Sequence, residues 1–384
     1  MSFPPTSLTD DQLAIADSVR EFAEGVLAPN ANEWDASHTF PLDALAQAGE
    51  LGLGSIYTSE ELGGSGLDRV STALVFEELA RGDTAVAAYI SIHNMAVWMI
   101  DSFASPDVRA EWVPRLAAMR EVASYCLTEP EAGSDAAALR TSAVRDGDDY
   151  VLTGVKQFIS GAGAAAVYVV MARTGGPGPK GITSFVVPAD APGLSCGPLE
   201  KKMGWNAQPT RQVVLDGVRI PAAHRMGEEG TGFAIAMKAL NGGRLNIASC
   251  SLGGAQWALE RTVEYVKDRV AFGSRLADLQ SVTFRIADME TSLQAARGLV
   301  RAAAEALDRN DDDVAARCAM AKRFATDVAF DVANDALQLH GGYGYLHEYG
   351  IERVVRDLRV HQILEGTNEI MRLIVGRHLL GERR

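Results

Sequence analysis

No stretch of this sequence reaches the roughly 18 consecutive apolar residues that a membrane-spanning helix needs, so no such span is expected. Basic runs are equally scarce. Nothing exceeds the pair Lys201-Lys202, and a net charge of -14 leaves no basic face for nucleic acid. The four cysteines, Cys126, Cys196, Cys250 and Cys318, lie far apart with neither a CxxC nor a Cys/His ligand spacing. They read as reduced, mostly packed thiols, which suits a cytoplasmic protein. Seven histidines are scattered without an HExxH, and no metal site is expected. The opening MSFPPTSLTDDQLAIADSV has no basic start and no apolar core before its acids, so neither a secretory signal nor a transit peptide is expected. Also missing are a P-loop, a G-x-S-x-G elbow and a G-x-G-x-x-G that opens a helix; LGGSGLD lacks that spacing. Walker-type phosphate binding, serine hydrolysis and a βαβ dinucleotide fold are thereby excluded.

What is present is a chain of 384 residues, 47% hydrophobic and 22% charged, which is enough for sizeable cores and two or three domains. Three textures follow one another. From Leu8 to about Met119 apolar residues recur at helical spacing, as in Ile15, Val19, Phe22 and Val26, and the reading is a helical domain over 1–120. Short runs rich in Val, Ile and Tyr then alternate with turn clusters such as TGGPGPKG, which predicts an antiparallel β domain over 121–222. Helical spacing returns in Val282, Ile286, Met289, Leu293, Ala296, Val300, Ala303 and Leu307, a bundle seam, and predicts a four-helix-bundle domain over 223–384. The fold class is α+β, with DRNDDDV (308–314) as a solvated inter-helix loop.

One carboxylate is oddly placed. In VHQILEGTNEIMR, Glu365 follows Ile363-Leu364 and precedes Gly366, which reads as a loop residue at a tight bend. Thr367 then caps a helix, Glu369 sits in its first turn, and Ile370, Leu373 and Ile374 give the spacing of a buried face. The apolar flank is expected to desolvate Glu365 and raise its pKa.

Six stretches in order, YCLTEPEAGSD (125–135), KQFISGAG (156–163), LNGGRLNIAS (240–249), RVAFGSRLADLQ (269–280), QLHGGYGY (338–345) and LEGTNEI (364–370), resemble the acyl-CoA dehydrogenase family over essentially the whole chain. The resemblance implies FAD-dependent α,β-dehydrogenation of an acyl-CoA, with Glu365 removing the α-proton and flavin N5 taking the β-hydride. It assigns the thioester oxygen's donors to the Glu365 backbone N–H and a flavin ribityl hydroxyl. Some family members carry the base on the helix matching LNGGRLNI; here that segment has no Asp or Glu.

The same resemblance implies FAD contacts from Tyr125, Leu127, Thr128 and Ser134, from Phe158, Ile159 and Ser160, and from Thr367, Asn368 and Glu369. Arg269, Phe272, Leu279, Gln280, Gln338, Gly341 and Gly342 match positions that reach FAD held mainly by a neighbouring subunit. Acyl-CoA contacts fall to Ser134, Asn241, Gly242, Gly243, Arg244, Gly366 and Arg377. Glu131 stands where many relatives have Gly, and Phe158 where Trp is common. The longer stretches AYISIHNMAVWMIDSF and GWNAQPTR point to a short branched acyl-CoA, isobutyryl-CoA to methacrylyl-CoA in valine catabolism. A straight short chain, 2-methylbutyryl-CoA, or an oxidase on the same fold stay open as alternatives. A homotetramer and an electron-transfer flavoprotein as acceptor are the implied partners.

Overall fold

The computed structural model describes residues 8–381; residues 1–7, where a leader would begin, lie outside them. The first region is helical as expected: α1 (Asp10–Phe22), α2 (Ala31–Ser37), α3 (Leu42–Glu50), α4 (Arg69–Gly82), α5 (Thr84–Phe103) and α6 (Pro106–Ala117). Short polar side chains cap α1, α4 and α5. Thr9 forms a capping box with Gln12 on α1, Asp68 accepts from the Ser71 N–H at 2.6 Å, and Asp83 from the Val86 N–H at 2.9 Å. Asn94 on α5 accepts from the Ile56 N–H at 2.7 Å and donates to Leu53 O at 2.8 Å, fixing the loop that precedes α4.

The central sheet comprises β1 (Ala123–Cys126), β2 (Ser142–Asp146), β3 (Asp149–Ser160), β4 (Val167–Arg173), β5 (Ile182–Pro188), β6 (Leu194–Cys196), β7 (Thr210–Pro221) and β8 (Arg225–Met226). Its order is β6-β7-β3-β2-β4-β5-β8, with β1 beside β4. Antiparallel ladders dominate. The departure from the expected pattern is β1, which runs parallel to β4 from Ala123↔Val167 to Cys126↔Val170, and β2 meets β4 in parallel at Ser142↔Arg173. The β2–β3 hairpin supplies the crossover that a parallel pair needs, and four residues of β1 carry no periodicity from which orientation could be read. The sheet also runs past 222, to Met226 in β8.

Strands β4 and β5 are buried on both faces. Val167, Val169 and Met171 join α5, α6 and α7 residues in one core, while Tyr168, Val170 and Ala172 face Phe185 and Val187 in another.

The third region has α7 (Gly232–Asp268), α8 (Gln280–Asp308), α9 (Val314–His340), α10 (Ile351–His361) and α11 (Asn368–Leu379). Met289, Leu293, Ala296, Val300 and Ala303 of the α8 seam are buried with residues of α7, α9 and α10; Ile286 and Leu307 pack at its margins, and Val282 is only half-buried. Helix α4 also enters this core through Ala73. It comes so close to α7 that a Cβ on Gly253 would lie 2.0 Å from Glu77 O.

One loop ties the β domain to α10. Trp205 donates its N–H to Asp357 Oδ1 at 2.5 Å and its indole N–H to His361 Nε2 at 3.2 Å. His361 Nδ1 therefore carries the proton and meets Ser251 Oγ of α7 at 2.7 Å, and Ser251 donates onward to Ile247 O. Burial pushes His361 down to about 3, so it stays neutral, and pushes Asp357 up to about 7. This network lies one turn before Glu365. Among the described residues no helix is long and apolar enough to cross a membrane.

Candidate active site

After α10 the chain turns through 362–367. The Leu364 N–H bonds to Val360 O at 3.0 Å, and both Glu365 (φ 53°) and Gly366 (φ 91°) are left-handed. The bend is thus shared by a non-glycine residue, a costly conformation that persists only where the surroundings enforce it. Two buried cations do so. Arg244 on α7 donates Nε to Glu365 O at 3.2 Å and Nη1 to Asn241 Oδ1 at 3.1 Å; Lys322 on α9 donates to Gly366 O at 3.0 Å and to Asn368 Oδ1 at 2.9 Å. Asn368 Nδ2 in turn donates to Asp327 Oδ1 at 2.7 Å and Thr326 Oγ1 at 3.0 Å. Thr367 caps α11 as expected, accepting from the Ile370 N–H at 3.4 Å.

The Glu365 carboxylate is sealed. Glu365 keeps some exposure as a residue, yet both carboxylate oxygens are buried and have no hydrogen-bond partner. Burial pushes the group up to about 7, although Arg244 and Lys322 pull it back down. The same burial lowers Lys322 to about 8. Of the expected apolar flank, Ile363 is 51% exposed, while Leu364 is half-buried against the first helical core. Helix α7 closes on the carboxylate as well: a Cβ on Gly243 would stand 2.6 Å from Glu365 Oε2 and 2.9 Å from Oε1. A carboxylate held in this way accepts a proton near neutral pH, which is what a general base requires. The Tyr125 hydroxyl is also buried without a partner, and burial, with the charge of Glu365, holds its pKa above the ordinary tyrosine value.

The residues expected to face the flavin come together on β1, β3 and the loop between them. The Gln157 N–H bonds Thr128 O at 2.8 Å, and Phe158, left-handed at φ 58°, is 65% exposed. An uncovered ring on the strand that is bonded to a partly exposed Thr128 fits a planar aromatic cofactor. Ser134 and Ser160 are likewise accessible, whereas Leu127 and Ile159 are core residues, so only their backbone can serve. Glu131 turns outward and pairs with Arg140 at 2.6 Å.

Several expected contacts are otherwise engaged. Asn368 is buried and bonded to α9, so it positions the loop rather than facing a ligand. Arg244 holds the Glu365 carbonyl, Gly243 makes room for its carboxylate, and Gly242 lies under the Arg69 guanidinium. Glu369 is exposed and pairs with Arg372 at 3.4 Å. Arg377 is half-buried and has no hydrogen bond or ion pair among the described residues. The α11 face expected to be buried is not: Leu373 is exposed, and Ile370 and Ile374 are half-buried.

A second group forms elsewhere. Arg269 lies over the Tyr343 ring at 5.5 Å, beside the exposed Gln338, Gly341 and Gly342, and Phe272 is 98% exposed. Leu279 and Gln280 are at the start of α8. Gln338 is 16 residues along α9 from Lys322, about 24 Å at 1.5 Å per residue.

Sequence reasoning missed Lys322, although Cys318, Thr326 and Ala329 place it on the buried stripe of α9. It also missed the pair Lys156–Glu129, at 2.8 Å. Glu129 additionally accepts the Arg140 and Thr141 N–H groups, which anchors the loop after β1 to β3. Removing either partner would strand a buried charge, costing about 3–5 kcal/mol.

Three domain models tile the chain: acyl-CoA dehydrogenase N-terminal domain over 9–120, middle domain over 124–218 and C-terminal domain over 230–380. With this fold and a sealed carboxylate between α10 and α11, the chain belongs to the acyl-CoA dehydrogenase family, FAD-dependent oxidoreductases. It is similar to the mitochondrial isobutyryl-CoA dehydrogenase of Bos taurus, with 51% identity over 99% of this chain and 91% of that one. The corresponding Dictyostelium discoideum protein is 49% identical over 98% and 91%. Among solved structures, a chain from the study of the electron transferring flavoprotein of Acidaminococcus fermentans superposes with TM-score 0.95 at 39% identity, covering 98% of this chain and 100% of that one. A Mycobacterium smegmatis glutaryl-CoA dehydrogenase in complex with FADH2 gives 0.93 at 31%, covering 98% and 96%.

Proposed function

We propose that this acyl-CoA dehydrogenase acts on a short branched acyl-CoA, converting isobutyryl-CoA to methacrylyl-CoA, with Glu365 as the base. The observation that carries the reading is the sealed, unpartnered Glu365 carboxylate against Gly243. Support for the branched substrate comes from the names of the bovine and Dictyostelium relatives at about half identity. The Acidaminococcus structure supports an electron-transfer flavoprotein as acceptor. The reduced, free thiols fit a cytoplasmic setting, while the bovine relative carries a mitochondrial name.

A C–H beside a thioester is a very weak acid, and a positioned base is worth only about 10²- to 10⁴-fold. The larger share falls to donors aimed at the thioester oxygen, which gains charge as the proton leaves. The Glu365 N–H has no acceptor within the described residues, and it is the proposed donor. Tyr125, Thr128 and Phe158 are the residues that would hold the flavin ring; when bound, the flavin supplies the acceptor for the β-hydride. Glu365 takes the α-proton into a pocket where its neutral form is the comfortable one. The site makes α-deprotonation depend on pH: below about 7 the base is protonated and idle. We expect kcat/KM to fall tenfold per unit below that pH and to level above it. A flat profile between pH 5 and 8 contradicts the assignment.

The second group, about 24 Å along α9, is proposed to serve FAD in a neighbouring copy, the tetramer being the expected assembly. The uncovered Phe272, Phe284, Tyr345, Leu373 and Leu379 support subunit contacts. Arg269→Ala is expected to lower the FAD content of the purified protein several-fold; unchanged occupancy contradicts the role. The defining experiment is anaerobic titration with isobutyryl-, 2-methylbutyryl- and butyryl-CoA while following the flavin absorbance. Bleaching greatest with isobutyryl-CoA is the expected result. Butyryl-CoA in first place overturns the branched reading, and oxygen consumption with substrate alone assigns an oxidase.

A further inference from the structure

Two of the non-glycine residues with a left-handed backbone stand at the two ends of one run of contacts. One is Glu365; the other is Trp205, at φ 56° in the loop between β6 and β7. A bulky residue keeps that conformation only where its surroundings enforce it, and around Trp205 they do. Lys202 Nζ donates to Trp205 O and to Gln208 O, each at 2.7 Å, and to Thr210 Oγ1 at 2.9 Å. Asn206 donates to Asp35 Oδ1 of α2 at 3.0 Å, and a Cβ on Gly204 would stand 2.6 Å from the Arg356 carbonyl of α10. The loop is pressed against α10, backbone to backbone.

On its sheet side the loop runs into the strand expected to face the flavin. Pro209 O accepts the Gly161 N–H at 2.8 Å, and Thr210 and Arg211 pair with Ser160 and Ile159 of β3. On its other side it grips the end of α10. Trp205 bonds Asp357 through its backbone N–H and His361 through its indole N–H, two residues four apart and therefore on one side of the helix. An indole nitrogen only donates, so His361 Nε2 accepts, its Nδ1–H turns to Ser251 Oγ, and the serine hydroxyl goes to Ile247 O on α7. Trp205, Asp357, His361 and Ser251 are buried, so water cannot stand in for a lost partner. His361 is the last residue of α10, and Glu365 follows four residues later: Val360 O accepts the Ile363 and Leu364 N–H groups, and Gln362 O the Asn368 N–H at 3.0 Å. A shift of that turn is passed directly to Glu365.

We propose that Trp205 and His361 are positioning residues for the dehydrogenation, holding the turn that bears Glu365 in register with the strand that bears Phe158 and Ser160; this rests on Glu365 as the base. The reaction takes a proton and a hydride from neighbouring carbons, so the base and the flavin ring must keep a fixed separation, yet the residues that hold them belong to different domains. Arg244 and Lys322 fix the Glu365 loop to α7 and α9. The Trp205 loop adds the tie to the sheet.

The test uses the acyl-CoA that reduces wild type fastest and reads three quantities: the rate of flavin reduction per bound flavin at saturation, the dissociation constant of that ester's redox-inert thioether analogue, and flavin content. His361→Leu leaves the indole N–H and the Ser251 hydroxyl without their partners, and a displacement of about 1 Å at Glu365 is expected to lower the rate on the order of 10²-fold, with analogue binding and flavin content little changed. Trp205→Phe, which keeps an aromatic ring but not the donor, should lose rate in the same direction and by less. His361→Gln, whose amide oxygen can accept from the indole, should recover most of the rate. Added to Glu365→Gln, His361→Leu should lower the rate no further, because a positioning residue acts through the group it positions. An unchanged rate per flavin in His361→Leu overturns the proposal even where stability or flavin content falls, since that is the mark of a structural role alone. Additive losses in the double variant overturn it too. If His361→Leu does not fold, Trp205→Phe decides by the same readings. Retained reduction in Glu365→Gln alone removes the base reading and this proposal with it, whereas a loss there with His361→Leu unaffected removes only the proposal.

Discussion

Glu365→Gln is expected to fold, to keep its flavin, and to lose at least about 10²- to 10⁴-fold in the rate of flavin reduction by substrate. The amide fills the same space against Gly243 and leaves the Arg244 contact to the backbone carbonyl intact, but it cannot take up a proton. The variant is also expected to be more stable than wild type. A carboxylate raised from 4.5 to about 7 by burial favours folding least when ionised. Its cost is absent below about pH 4.5, grows as the pH rises toward 7 and is constant above, reaching on the order of 3 kcal/mol. Thermal unfolding of the two proteins should therefore diverge between pH 5 and 7 and run parallel from 7 to 8.5. Retained reduction by substrate removes Glu365 from the base role. A melting difference independent of pH would mean that the carboxylate is solvated in the folded protein.

How far this site was legible depended on the range of the interaction. Glu365, Gly366 and the Thr367 cap are neighbours in sequence, and their residue types announce a turn that leads into a helix. The bundle seam of α8 was visible for the same reason, since burial there repeats with the helical period. What stayed hidden is held by partners far away in the chain. Lys322 bonds Gly366 O from 44 residues away, and an isolated Lys in a helix reads as solvated; Arg244 was named as a substrate contact, but its bond to Glu365 O, 121 residues away, was not legible. The desolvation of Glu365 was anticipated and credited to the Ile363-Leu364 flank; Leu364 is half-buried but Ile363 is exposed, and the close approach of α7 at Gly243 could not be read from local sequence. Orientation within the sheet was equally invisible, because a strand of four residues such as β1 says nothing about the direction of its partner. The exposed face of α11 shows the opposite limit: its apolar spacing is real, but no surface among the described residues covers it.

Gly243→Ala is the smallest change expected to disable the enzyme without touching its base. A methyl group at this position would come 2.6 to 3.0 Å from the carboxyl atoms of Glu365, closer than van der Waals contact allows. Something must move. Helix α7 cannot easily yield, since Gly253 on the same helix is already pressed against Glu77 O and the helix is buried along most of its length. The loop has more freedom, but Arg244 and Lys322 hold its carbonyls on either side, so the shift falls on the Glu365 side chain. A displacement of about 1 Å in a reacting group costs on the order of 10²-fold in rate. The expected signature is a fall of that size in kcat with little change in substrate binding, in a protein that retains its flavin spectrum. A displaced carboxylate should also be less thoroughly desolvated, so the acid limb of the pH profile should move below 7. Full activity in Gly243→Ala would show that the loop relaxes freely, and that the two buried cations do not position the base.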